Sequence, residues 1–308
     1  MSRLLVSLLT LTLLAGCATT SSAPGTATAS AAPAPFHVER TGHGRPMLLI
    51  PGLSSSGEVW NETVAHYRDQ YDCHVFTLAG FAGQPPVSTP FLPTMRRALA
   101  DYIREQHLEK PILVGHSLGG VLALAVAEDA PELVGAIVIV DSLPFLPAAM
   151  DPSATPDSIR PQVEQMGTLM RMQSAAQRNQ QTLMTLRSFI SDEKNVQVAM
   201  RWSIDSDPET IIRAYADLST TDLRPELSRI TAPTLVLGSW VALKGRVARE
   251  QVEAVYRGQY SRLSGARVTL SDTARHFIMW DDPAGFLRET DAFLATVPAS
   301  VAQVEPRR

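Results

Sequence analysis

The stretch "ILVGHSLGG" (112–120) constrains this chain more than any other. "PILVG" (111–115) has the apolar composition of a buried strand, and an apolar helical pattern runs on from the motif through Ala127. Between them lies Gly115-His116-Ser117-Leu118-Gly119, a G-x-S-x-G in strand–turn–helix context. A reversal that tight needs glycine at 115 and 119, because side chains two positions from Ser117 would collide. It pushes the Ser117 hydroxyl above the sheet, beside the free N–H groups of a helix N-terminus.

The rest of the chain supplies the sheet. "MLLI" (47–50), "CHVFTLA" (73–79) and "AIVIV" (136–140) read as further strands, and "GEVWNETVAHYRDQ" (57–70) and "TMRRALADYIREQH" (94–107) as helices. From 142 to 232 no convincing strand occurs, whereas Asp207-Pro208 opens a well-signalled helix. The sheet pattern resumes with "PTLVLG" (233–238), a helix near 246–262, "ARVTLS" (266–271) and a last helix from about Pro283. This alternation predicts an α/β fold, a mostly parallel sheet flanked by helices with an inserted helical cap. The division is 36–141 and 233–298 for the core, 142–232 for the cap and 299–308 for a tail.

A serine hydroxyl needs a base to take its proton. Of seven histidines, His276 is the one in a loop after the last strand and before the last helix, where such a sheet presents groups at its carboxyl edge. His116 adjoins the serine, but its side chain is expected on the other side of the turn. A plain solvated histidine is the alternative for His276, and a structural serine the alternative for Ser117.

The segments "LLIPGL", "VGHSLGG", "LRPELSRITAPTLVLG" and "ARHFIMWDDP" together resemble the α/β-hydrolase fold over roughly residues 36–298. The resemblance implies that the backbone N–H groups of Leu53 and Leu118 form an oxyanion hole. Pro51 stands where many members have histidine, which leaves that backbone role intact. The family's usual acid position, the loop "GSWVALKG", holds no carboxylate, and Glu250 lies too deep in the next helix. Asp141, at the carboxyl end of "AIVIVD", is the expected acid; some members carry it there, and Ser117…Asp141…His276 keeps the order of the fold. Capping of the following turn is the other use for Asp141, and Asp217, Asp222 and Asp272 are the remaining carboxylates.

Serine at the elbow points to acyl transfer: a carboxylic ester hydrolase working on a small-molecule ester or acyl substrate through a Ser-His-Asp triad and an acyl-enzyme. A lactonase uses the same chemistry. The contrasting reading is a non-hydrolytic member of the fold, whether a binding module, a lyase or a cofactor-free haloperoxidase-like enzyme. No metal-ligand spacing and no cofactor motif is present. A net charge of −4 without a Lys/Arg run excludes an electrostatic nucleic-acid footprint. Six methionines, Met150, Met166, Met170, Met172, Met184 and Met200, fall in the cap. Met166 and Met170, with Trp240 and Met279, are expected pocket-lining residues, or else simple packing.

At the N-terminus Arg3 and the apolar run "LLVSLLTLTLLA" (4–15) read as a signal peptide over 1–16, too short to span a bilayer core of ~30 Å. "LLAGC" resembles the lipobox of bacterial lipoproteins, which implies lipidation at Cys17, contact with a membrane surface and a cell-envelope location. The small, polar, proline-bearing residues 17–35 then serve as a tether. Cys73 opens an apolar run and reads as a buried hydrophobe.

Overall fold

Runs such as "MLLI" and "AIVIV" are apolar at every position, so each must be covered on both faces once extended. The computed structural model, which describes residues 34–87 and 90–298, covers them within a seven-stranded sheet. Its strands are β1 (Phe36–Gly42), β2 (Arg45–Ile50), β3 (Tyr71–Leu78), β4 (Ile112–His116), β5 (Ala136–Val140), β6 (Thr234–Ser239) and β7 (Arg267–Ser271). The spatial order is β1-β3-β2-β4-β5-β6-β7; β1 is antiparallel to β3 and every other pairing is parallel. The strand β1, "FHVERTG", escapes a sequence reading because most of its residues are exposed and it carries the charged pair Glu39-Arg40, as suits a protected edge. Cys17, the expected lipidation site, and the expected tail over 299–308 lie outside the described residues.

Alternate residues of each strand feed two cores. On one face Leu48, Ile50, Leu113, Ile137, Ile139 and Val236 pack with α2 (Phe91–Glu105), α3 (Leu118–Asp129) and α8 (Arg249–Gln259). On the other, Met47, Leu49, Val114, Val138, Leu235 and Leu237 meet Trp60, Phe286 and Phe293, from the segment beside α1 (Asn61–Tyr67) and from α10 (Pro283–Leu294). The helix expected over 57–70 is split: Gly57–Trp60 form a 3-10 turn because Ser56 caps the Glu58 N–H and the Gly57 N–H donates to Thr77 Oγ1 at 2.9 Å. Cys73 is buried and free, and burial pushes its thiol up to about 11.

Between β5 and β6 run α4 (Pro156–Met172), α5 (Ala175–Phe189), α6 (Glu193–Asp205) and α7 (Pro208–Thr220). Their ends are written in the sequence: Thr155 and Ser174 form capping boxes, and Asp207 caps Thr210 with Pro208 in the first turn. α4 packs on α7 and α5 on α6, while α7 also packs on α2 and places Ala214 and Leu218 in the main core.

The sheet order decides where chemistry can sit. Chain connections leave β2 toward β3 on one side and come back to β4 on the other, so the loops after β2 and β4 diverge at the switch point of the sheet. The register aligns the strand ends there: Ile50 pairs with Gly115, His116 with Val140 and Val140 with Leu237. Ser117 and Asp141 therefore leave neighbouring strands at the same level.

α3 is buried from Leu118 through Glu128, which leaves a carboxyl in the core near its end. Glu128 Oε1 has no hydrogen-bond partner, and burial pushes the group up to about 7, with Arg96 opposing the rise. Because the folded value lies above the ordinary 4.5, the native state holds the proton more tightly; stability is full below about 4.5 and is lost as pH rises through about 7. Glu128→Gln should therefore gain on the wild type between pH 5 and pH 8, by on the order of 2–3 kcal/mol. Urea denaturation of both proteins at the two pH values measures it, and a pH-independent difference would refute it.

Candidate active site

Ser117 occupies a backbone conformation of φ 52° and ψ −116°, sparsely populated for a residue with a side chain. The strain is held by the turn's surroundings. The Ser117 N–H donates to Val140 O at 3.0 Å, and the Ser117 carbonyl accepts from Gly120 and Val121. The motif glycines are required by contact: a Cβ on Gly115 would stand 2.3 Å from Gly119 O, and one on Gly119 would stand 2.2 Å from Ile50 O. The helix N-terminus is thereby pressed against the end of β2. Among the described residues, neither the Leu53 N–H nor the Leu118 N–H donates to a protein acceptor.

Asp141 is the first residue beyond β5 and also has positive φ, 46°, which aspartate tolerates. The turn aims its carboxylate along the sheet edge. Asp141 Oδ2 accepts from His276 Nδ1 at 2.6 Å, while Oδ1 accepts from the Ser239 N–H at 2.7 Å and the Tyr256 hydroxyl at 2.5 Å. The turn-capping use is not what its carboxylate serves. The loop without an acid thus still contributes, through a backbone donor, and Ser239 Oγ also donates to Ala274 O at 2.7 Å, next to the histidine segment.

The competing carboxylates are spent elsewhere. Asp217 accepts from the Leu92 N–H at the start of α2, Asp222 pairs with Arg224, and exposed Asp272 holds Trp240 Nε1 and Arg249. Glu250 is exposed in the first turn of α8. Other histidines are likewise engaged away from Asp141: His66 with Asp291, and His74 with Tyr102 and Asp72.

His276 sits half-buried among rings. His116 packs against it at 4.6 Å between centroids, and Phe189 packs at the same distance. His116 is more engaged than its expected place behind the turn implies: its Nε2–H donates to the His276 carbonyl at 3.1 Å. Burial, then the neighbouring His276, hold the His116 ring well below its ordinary value, so it stays neutral. Phe189, at the end of α5, was not legible in the sequence. The inserted helices are fastened to the histidine loop through Arg275, whose guanidinium donates to Arg187 O and Ile190 O, and through Asp281, which accepts from Ser191.

The expected apolar pocket of Trp240, Met279, Met166 and Met170 is not assembled as one surface. Met279 is buried in the core cluster on the Trp60 face, because the short helix α9 (Ile278–Asp281) turns it inward. The Trp240 indole N–H is drawn to Asp272, with its ring against the opposite core. Met166 is exposed and Met170 half-buried on α4, and neither joins a core cluster. An open cleft of about 510 Å³ lies beside β7 and α10, lined by Arg249, Asp282, Arg288 and Glu289, and does not include Ser117 or His276.

With this geometry in hand, the sequence matches the model of the Alpha/beta hydrolase family over residues 47–289. The chain belongs to that family. It is similar to the pimeloyl-[acyl-carrier protein] methyl ester esterase of Nitrosomonas europaea, 29% identical over 213 residues, 66% of this chain and 80% of the relative. The N-formylmaleamate deformylase of Pseudomonas putida is 27% identical over 263 residues, 82% of this chain and 90% of that one. Among solved structures, the esterase from Exiguobacterium antarcticum superposes with a TM-score of 0.70 at 17% identity, covering 85% of this chain and 96% of its own, which supports the fold.

Within this family member the approach of β2 to the elbow hangs on Gly52. A Cβ there would meet His116 Nδ1 at 2.9 Å and Ser117 Cβ at 3.2 Å. Gly52→Ala should destabilise the protein by about 1–3 kcal/mol through overpacking. A urea midpoint equal to that of the wild type would show that the segment gives way freely.

Proposed function

We propose that the protein is a serine hydrolase that cleaves a carboxylic ester. The observation that carries this reading is the hydrogen bond of 2.6 Å from His276 Nδ1 to Asp141, one strand from Ser117 at the elbow. With its Nδ1–H committed to Asp141, the neutral imidazole has Nε2 free to accept a proton. Ser117 Oγ attacks the ester carbonyl and passes its proton to His276 Nε2; Asp141 stabilises the imidazolium. The Leu53 and Leu118 N–H groups receive the developing oxyanion. Collapse expels the alcohol, which takes the proton from His276, and leaves an acyl group on Ser117. Water, activated by the same histidine, releases the acid and restores the serine.

Support for an ester over other acyl compounds comes from relatives named as esterases. Phe189 over the histidine adds an apolar wall, which favours an ester with apolar groups near the carbonyl. A fluorophosphonate probe should label the wild type and fail on Ser117→Ala. Asp141→Asn should lower turnover of an aryl ester by ~10⁴, while Asp272→Asn stays near wild type. Absence of labelling beside a reactive control esterase would sink the hydrolase reading, and wild-type turnover in Asp141→Asn would discard that acid.

We also propose that lipid on Cys17 holds the enzyme at a membrane of the cell envelope, on the strength of the lipobox-like "LLAGC". Expressed in a bacterial host fed a clickable fatty acid, the wild type should carry label and sediment with membranes, and Cys17→Ser should do neither. Unlabelled, soluble wild type would refute the anchor.

A further inference from the structure

Asp141 receives more hydrogen bonds than holding a histidine requires. Oδ2 faces His276, and the two further donors both converge on Oδ1: the Ser239 N–H at 2.7 Å and the Tyr256 hydroxyl at 2.5 Å. Tyr256 stands on α8, after the loop that lacks a carboxylate, and reaches the site by passing over β6 at Gly238. That passage exists only because position 238 has no side chain: an added Cβ would lie 2.7 Å from the Tyr256 ring and 2.6 Å from Leu270. The ring is buried, and burial together with the Asp141 carboxylate holds its hydroxyl well above the ordinary value, so it remains a donor.

We infer that Tyr256 is a positioning residue for the acid–histidine pair, its hydroxyl fixing the rotation of the Asp141 carboxylate and drawing part of its charge away from His276. The inference rests on the triad proposed above. A carboxylate at the end of a strand can rotate about its side-chain bonds; two donors on one oxygen leave the other aimed at the imidazole. Hydrogen bonding to the ionised form also spreads its charge. Without the tyrosine hydroxyl more charge faces His276, which then holds a proton to higher pH.

The titratable groups around the pair are few. His116, from β4, packs on His276 and is neutral, and Tyr260 lies beyond Tyr256 with its hydroxyl on Ser142 O at 2.9 Å. Arg275 turns its guanidinium to the carbonyls of Arg187 and Ile190, while Asp281 accepts from the Arg275 N–H and from Ser191. Tyr256 is thus the titratable group besides His276 that touches the carboxylate.

The test is the pH dependence of ester hydrolysis by the full chain, on an aryl ester. Tyr256→Phe should lower kcat by about tenfold with KM little changed, the size of one hydrogen bond to a charged group. The acid limb of its kcat/KM profile should move to higher pH by about half a unit. Tyr260→Phe, equally buried on the same side, should leave that limb in place. Should Tyr256→Phe not fold, 3-fluorotyrosine at 256 keeps the ring with a stronger donor, and the limb should move to lower pH. An unmoved limb in folded Tyr256→Phe or in the fluorotyrosine protein, or an equal shift in Tyr260→Phe, overturns the inference. Wild-type turnover in Asp141→Asn would remove the triad itself, a separate and distinguishable result.

Discussion

The carboxylate of Asp141 ties together segments that the chain keeps far apart. It stands just past the end of β5, accepts from the N–H at the end of β6 and from a hydroxyl on α8, and holds the histidine beyond β7. A buried or half-buried carboxylate is costly unless such donors satisfy it. Here three donors do so at once, and each belongs to a different element. The geometry of His276 is therefore fixed by the packing of β5, β6 and α8 together, and a change in any one of them reaches the imidazole.

The histidine loop is fastened from above as well. Arg275 and Asp281 bond the segment that ends α5, and Phe189 from that helix packs on the His276 ring. The inserted helices thus bear directly on the proposed base. α5 itself buries no residue, and Met172 and Met184 stand well exposed on α4 and α5. The helix is held chiefly by its C-terminal end at the histidine loop and by its packing on α6.

Much of this was legible in the sequence. The elbow glycines, the continuous apolar strands and the capped helix at Asp207 are local signals, and the structure places an element at each. The resemblance to the α/β-hydrolase fold points to Asp141, since the family's usual acid loop holds no carboxylate here and some members carry the acid at the end of this strand. Tyr256, Phe189 and the engagement of His116 were not legible there. Nothing near Tyr256 distinguishes it from any aromatic on an amphipathic helix, and its partner lies 115 residues away. The choice between pocket lining and packing for the methionines was open for a related reason: composition says which side chains are adaptable, not which way a helix turns them.

The strand–turn–helix around Ser117 and the parallel α/β core follow from backbone sterics and hydrophobic pattern over a few neighbouring residues, and chain order leaves only a short list of carboxylates. Which carboxylate meets His276, and what else holds it, depends on packing across the sheet. The register of β4, β5 and β6 brings Ser117, Asp141 and Gly238 to one level of the sheet, and the missing side chain at Gly238 lets Tyr256 through to the acid. Those contacts depend on distances between strands that no local stretch of sequence contains.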